Sequence, residues 1–283
     1  MNIRFALLLI ALLPLAACKN ETPAPVGDAA TTGSAPAVAA ANQASAENPE
    51  AKAKAEAAVQ AAAEAAAKAP PPVAGTDYVV IPNGQPFDTS DGRIEVAEIF
   101  GYVCPFCGAV APTVRAMKAN FPADVHMIYV PAAFGSMWDN YAKAYYTAEA
   151  MGLVDKTHDE MFRAIHVDKT LKGERGNDTP EDIAGFYAAY GADPKQFVSS
   201  MSSFAIAAKV NRARQWIMTS FGDDQASTPS FVINGKYRVT GKTLDDMFRV
   251  LNQLVVAERA NGAATAPPPP PANEAPAGAP AAN

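Results

Sequence analysis

Three cysteines, three histidines and two tryptophans are all that the 283-residue chain contains of those residue types. That scarcity excludes most metal sites. A structural zinc needs four ligands, and Cys104 with Cys107 would supply two. No second close cysteine pair exists, and His126, His158 and His166 show no spacing that completes the set. Neither a metal nor another cofactor is expected. Excess positive charge is missing as well. Lys and Arg number 23 against 29 Asp and Glu, a net charge of −6 with no basic stripe, which excludes nucleic acid as a partner. Beyond the first residues no apolar run is long enough to span a membrane. Aromatic residues are absent from Asn20 to Gly75. That stretch, and the Ala/Pro-rich end from Gly262 to Asn283, cannot bury enough apolar surface to offset the entropy of ordering.

What is present begins at the N-terminus. In MNIRFALLLIALLPLAAC one basic side chain, Arg4, precedes an apolar run from Phe5 to Leu13, and small residues follow at Ala16 and Ala17. The run is too short to cross a bilayer and fits the core of a secretory signal peptide. Leu15-Ala16-Ala17-Cys18 resembles the lipobox of bacterial lipoproteins. The resemblance implies cleavage before Cys18 and a lipid thioether on its sulfur; the alternative is an ordinary signal peptide that happens to hold a cysteine. With Cys18 lipidated, the odd cysteine count becomes one anchor and one pair, and the pair lies outside the cytoplasm, where disulfides persist. The domain plan is then a signal peptide (1–17), a lipidated Ala/Pro-rich tether (18–75), a first α/β part (76–135), a helical insertion (136–222), a second α/β part (223–261) and a Pro/Ala-rich disordered tail (262–283). Within the tether, residues 51–69 are a strong helix former stopped by Pro70-Pro71-Pro72. Its alanine face is expected to have nothing to pack on, which makes it a solvated spacer.

Thr76 to Ile81 and Arg93 to Phe100 are rich in Val, Ile, Tyr and Phe and read as strands. The second runs straight into GYVCPFC at 101–107. Pro105 stands where a first helical residue tolerates a missing N–H, so a helix to about Asn120 is expected, kinked at Pro112. VHMIYV at 125–130 reads as a short buried strand and completes a βαβ unit with parallel pairing. The pattern then stays helical: Ser136 to Met151, Val154 to His166, a helix opened by Thr179-Pro180 and closed at Gly191, and one long helix from Asp193-Pro194 to near Ser220. Two more strands, Ser230 to Ile233 and Tyr237 to Val239, flank the hairpin signal Asn234-Gly235. An amphipathic helix from Thr243 to Arg259 follows. The order is that of an α/β domain with an all-helical insertion.

Cys104 and Cys107 are read as a redox pair. A disulfide closing so short a loop removes little denatured-state entropy, so it would be a weak staple. At the junction of strand and helix, the Cys104 sulfur faces unpaired N–H groups and the positive end of the helix dipole, which favour thiolate over thiol. A stabilised thiolate is a good leaving group. Cys107, one turn inward, is close enough to resolve a mixed disulfide. On the preceding strand Ile94, Val96, Glu98 and Phe100 share a face. A carboxyl pointing there is desolvated and its pKa rises, so Glu98 can accept or relay the proton of Cys107. An edge-strand glutamate turned to water is the alternative.

CPFC at a strand-to-helix junction, Pro112 five positions after Cys107, and Thr228-Pro229 ahead of a strand together resemble the thioredoxin superfamily. With the helical insertion, and in segments such as EAMGLVDKTHDEMF and PSFVINGKYRV, the chain is similar to the DsbA family over roughly Tyr78 to Val256. The resemblance implies a thioredoxin-like fold with an inserted all-helical domain. It also implies a periplasmic thiol:disulfide oxidoreductase that introduces disulfide bonds into exported proteins. By it, Cys104 forms the mixed disulfide and Cys107 resolves it. The Thr228-Pro229 loop, a cis-proline loop in the family, holds the substrate backbone with Phe106 nearby, and a quinone-linked membrane partner of the DsbB type reoxidises the pair. Isomerase relatives usually carry an N-terminal dimerisation domain that residues 20–75 cannot form, which argues against that activity; a monomer tethered through Cys18 is expected. Isomerase or reductase activity remains the alternative, with a chaperone-like peptide-binding lipoprotein as a reading from another class. Two departures stand out. The family commonly has His where this chain has Phe106, which removes cationic support for the thiolate and predicts a weaker oxidant. The family's lysine on the strand after the acid has its matching position here at Asp124. His126 is read as a satisfied strand residue without chemistry.

Overall fold

The computed structural model describes residues 49–88 and 92–265. The expected signal peptide, Cys18 and residues 266–283 of the expected tail lie outside the described residues. Helix α1 (Pro49–Lys68) precedes strands β1 (Tyr78–Val80) and β2 (Ile94–Phe100), and α2 (Pro105–Asn120) with β3 (Val125–Pro131) completes the βαβ unit. The insertion holds α3 (Ser136–Ala150), α4 (Val154–His166), a 3-10 turn (Gly173–Arg175), α5 (Pro180–Ala188), α6 (Pro194–Met201) and α7 (Phe204–Phe221). The chain returns as β4 (Ser230–Ile233), β5 (Tyr237–Val239) and α8 (Leu244–Thr265).

The five strands form one sheet in the order β1-β5-β4-β2-β3. β2 and β3 run parallel, and the other pairs are antiparallel. Asn234, Gly235 and Lys236 link β4 to β5; Asn234 and Gly235 take left-handed φ of 51° and 65°, and the Lys236 N–H closes the turn on the Ile233 carbonyl at 2.9 Å. β2 is buried on both faces, and Val96, Ala97, Ile99 and Phe100 are all fully covered. Such a strand should read as one apolar run, so the two carboxylates inside it, Glu95 and Glu98, need a reason to be there. Glu95 has a structural one: its carboxylate accepts the N–H groups of Phe87 at 2.7 Å and Asp88 at 2.6 Å. Helices α3 and α7 pack against β3, the edge strand of the sheet. The Phe100 ring meets Tyr102, Tyr129, Tyr145 and His158 edge-on, locking the sheet to the insertion through one aromatic cluster.

The insertion's helices start where their caps dictate. Thr179 and Asp182 form a capping box with Pro180 in the first turn, and Asp193 accepts the Gln196 N–H at 2.8 Å. The single long helix expected from Asp193 to near Ser220 is two helices. Ser203 takes extended backbone angles and caps Ile206 N–H at 3.3 Å, which ends one helix and begins the next. The last helix also runs on past Arg259, to Thr265.

The larger correction concerns α1. It is not a solvated spacer with nothing to pack on; it lies against both α2 and α8. Ala55 and Ala62 are buried and Val59 is half-buried between them. This is the spacing of one helical stripe, and small side chains let the backbones come close. The Gln253 side-chain amide on α8 donates to the carbonyls of Ala66 at 3.1 Å and Pro70 at 2.9 Å, satisfying groups that the helix end leaves open.

Candidate functional site

β2 delivers the chain into a turn, and the turn delivers it into α2. The Cys104 N–H donates to the Gly101 carbonyl at 3.0 Å, which closes the turn around Tyr102 and Val103. Gly101 cannot carry a side chain, because a Cβ there would stand 2.1 Å from the Trp138 ring of α3. Cys104 is the N-cap of α2, with extended backbone angles of −73° and 117°, and Pro105 takes the first helical position. The Cys104 Sγ therefore sits where a Ser or Asp oxygen would sit, accepting the Cys107 N–H at 3.4 Å. Pro112 stands inside α2 as expected.

Both sulfurs are free thiols in this structure, and their environments pull them apart. The Cys104 pKa is lowered to about 6, chiefly by the hydrogen bond that the Cys107 thiol gives it. The Thr228 side chain and the N–H groups of Cys107 and Phe106 add to that. Cys107 is fully buried, and burial pushes its pKa far up, with the bond to Cys104 and the charge of Glu98 acting the same way. One sulfur is thus a thiolate near neutral pH and the other a thiol.

Thr228-Pro229 is a cis peptide, and the Thr228 carbonyl oxygen lies 3.5 Å from Cys104 Sγ. Phe106, 65% exposed, projects beside the pair. Glu98 is 2% exposed and stands in register between Tyr129 of β3 and Phe231 of β4. Burial raises its pKa to about 8, and the charges of Asp159 and Cys104 act in the same direction. The expected match of Asp124 to the position beside the acid is corrected by this register. Tyr129 is the residue opposite Glu98, while Asp124 lies at the far end of β3 and pairs with Arg259 at 2.6 Å. A lysine does reach this region, from α2 and not from the strand: Lys118 Nζ lies 4.8 Å above the Tyr129 ring.

Two residues went unassigned in the sequence. His158 and His166 lie with Phe162 on one face of α4, at the i, i+4, i+8 spacing that helical periodicity could have shown. Tyr102 lies on that face: its hydroxyl is 3.0 Å from His158 Nδ1, and its carbonyl is 2.7 Å from His166 Nε2. Burial holds the His158 pKa down to about 3, so its imidazole is neutral.

This is an arrangement for thiol–disulfide exchange: a thiolate at a helix N-terminus, a more deeply buried partner thiol, a buried carboxyl and a backbone carbonyl alongside. No family profile matches the chain. A thiol:disulfide interchange protein DsbA from Pseudomonas aeruginosa is 34% identical over 190 residues, which cover 66% of this chain and 86% of the relative. DsbA from Azotobacter vinelandii is 36% identical over 165 residues, covering 58% and 72%. The crystal structure of the oxidoreductase DsbA from Xylella fastidiosa superposes with a TM-score of 0.63 at 39% identity, over 67% of this chain and 98% of that one. The fold is a thioredoxin fold with a helical insertion, and the chain belongs to the DsbA family of thiol:disulfide oxidoreductases.

Proposed function

We propose that the protein is a lipid-tethered periplasmic oxidase that passes a Cys104–Cys107 disulfide to newly exported proteins. The observation that carries this reading is the split between the two sulfurs, with Cys104 lowered to about 6 and Cys107 raised by burial. A substrate thiolate attacks Cys104 Sγ. The bond between the two cysteines breaks, and its electron pair leaves on Cys107 Sγ, which takes a proton from Glu98. A second substrate thiolate then attacks the substrate sulfur of the mixed disulfide, forms the substrate's disulfide and expels Cys104 as the thiolate. That last step is favoured because a stabilised thiolate leaves readily. Two electrons have moved from substrate to protein, and a quinone-linked membrane partner of the DsbB type removes them.

The Thr228 carbonyl beside Cys104 and the exposed Phe106 support a role for this rim in holding substrate backbone. The Leu15-Ala16-Ala17-Cys18 sequence supports the lipid anchor, and with it the periplasmic location. Mixing the oxidised protein with a reduced, unfolded secreted protein tests the direction. Stoichiometric formation of the substrate's disulfides is expected. Failure to oxidise it, with faster reduction of insulin by dithiothreitol, would replace the oxidase with a reductase. An insulin rate equal to that without protein would leave a binding module.

A further inference from the structure

The insertion meets the redox loop through an imidazole that the exchange chemistry does not use. His166, the last residue of α4, is half-buried, and its Nε2 lies 2.7 Å from the carbonyl oxygen of Tyr102. A carbonyl only accepts, so Nε2 carries the proton and donates. Tyr102 is a central residue of the turn between β2 and α2. The same ring lies against the first turn of α2. A Cβ on Gly108, the residue after Cys107, would stand 2.8 Å from His166 Cδ2. Glycine inside a helix costs stability relative to alanine, and here its bare backbone is what admits the ring. α4 also holds the rest of Tyr102. Its hydroxyl meets His158, and its ring lies 5.1 Å from that of Phe162.

We propose that His166 is a positioning residue for the redox pair: by holding the Tyr102 carbonyl against the first turn of α2, it fixes the turn that seats the Cys104 sulfur at the helix N-terminus. The inference rests on reading Cys104 as the exchanging thiolate. The physical reason lies in a weak and directional contact. Cys104 Sγ meets the Cys107 N–H only while the N-cap keeps its extended angles, and hydrogen bonds weaken steeply once misaligned. The turn sets those angles, and the Tyr102 carbonyl is its middle. Without the His166 donor that carbonyl is left to rotate, the sulfur loses alignment, and the thiolate form loses stability.

The test uses the full chain with three substitutions: His166→Leu, His166→Gln and Gly108→Ala. Each is titrated by thiolate absorbance against pH and equilibrated with glutathione. His166→Leu removes the donor and should raise the Cys104 pKa. It should also make the disulfide less oxidising, lowering its equilibrium constant with glutathione about two- to tenfold, the range that one net hydrogen bond spans. His166→Gln keeps an N–H donor at similar reach and should stay near the wild type. Gly108→Ala pushes the ring away while leaving His166 itself unchanged and should shift both readouts as the leucine does, even though alanine is the better helix former. Wild-type titration and equilibrium in His166→Leu would overturn the proposal, as would equal shifts in the leucine and glutamine variants. If the leucine variant does not fold, Gly108→Ala decides alone, and wild-type values there overturn it. A wild-type Cys104 that does not titrate well below an ordinary thiol would instead remove the thiolate reading beneath the proposal, and that is seen before any variant is made.

Discussion

Cys107 and Glu98 share a dry environment in which neither ionises easily, and the charge of Glu98 makes ionisation of Cys107 harder still. Burial pushes the Glu98 carboxyl, ordinarily near 4.5, up to about 8. The folded state therefore holds a proton that the unfolded chain releases. Stability from this group is full below about pH 4.5 and is lost as pH rises through about 8. Glu98→Gln should flatten that loss and leave the reduced protein more stable at pH 8, by roughly 1.4 kcal/mol for each pH unit that separates the folded carboxyl's titration from the unfolded one's. The same substitution should slow thiol–disulfide exchange between pH 6 and 8, because Cys107 loses its proton donor. Urea unfolding at pH 5 and pH 8, with stopped-flow exchange, checks both. Unchanged exchange would leave Glu98 without a role in proton transfer. At the rim, Phe106 gives the Cys104 thiolate no cationic neighbour. Phe106→His would add an imidazole that ordinarily titrates near ~6.5. A charge-assisted contact is worth about 1.5–3 kcal/mol, and ~30 mV corresponds to ~1.4 kcal/mol for this couple. The Cys104 pKa should fall and the potential should become more oxidising by roughly 30–60 mV, toward the low end at an exposed position. Titration against glutathione measures it.

Among the elements, α1 departs furthest from what its composition suggests. In isolation an alanine-rich helix has no reason to dock, yet Ala55, Val59 and Ala62 meet α2 and α8. Ala62→Glu places a long charged side chain where only a methyl group fits. Overpacking of this kind typically costs about 1–3 kcal/mol, and here undocking α1 can relieve it. The expected outcome is selective protease cleavage near residues 49–68, with the redox potential nearly unchanged and the urea midpoint lowered. Cleavage no faster than in the wild type would mean that α1 contributes little to the domain. α2 carries the opposite logic. Its N-terminus holds the chemistry, while its body packs against α1 and α4.

For the whole molecule, docking of α1 changes where a tether would end. The connection from Cys18 would meet the folded body at Pro49 and not near Gly75, which limits the reach of the site from a membrane to roughly 100 Å of fully extended chain. If Cys18 carries lipid, labelled palmitate should enter the wild type, and Cys18→Ser should abolish the label and release the protein from the membrane fraction. A soluble, unlabelled wild type would end the anchor reading. Neither result should change exchange kinetics in detergent, since the pair at Cys104 and Cys107 is held by elements far along the chain from residue 18.

The sequence by itself determined what depends on local order. The strand-to-helix junction at CPFC, the caps at Thr179 and Asp193, the hairpin at Asn234-Gly235 and the anomalous carboxylate in IEVAEIF are all written in neighbouring residues. Turn, cap and periodicity rules act over a few positions, so these features were legible. The break at Ser202-Ser203 is local as well, yet serines also occur inside helices, and only extended backbone at Ser203 makes one a cap. Tertiary structure decided the rest. Which residue flanks Glu98 depends on strand register, and a slip of a few positions separates Asp124 from Tyr129. Whether α1 packs depends on surfaces of α2 and α8 far along the chain, and the partnership of His166 with Tyr102 and Gly108 joins residues on different elements. Those contacts follow from how the insertion and the sheet close on each other, and no local pattern encodes that closure.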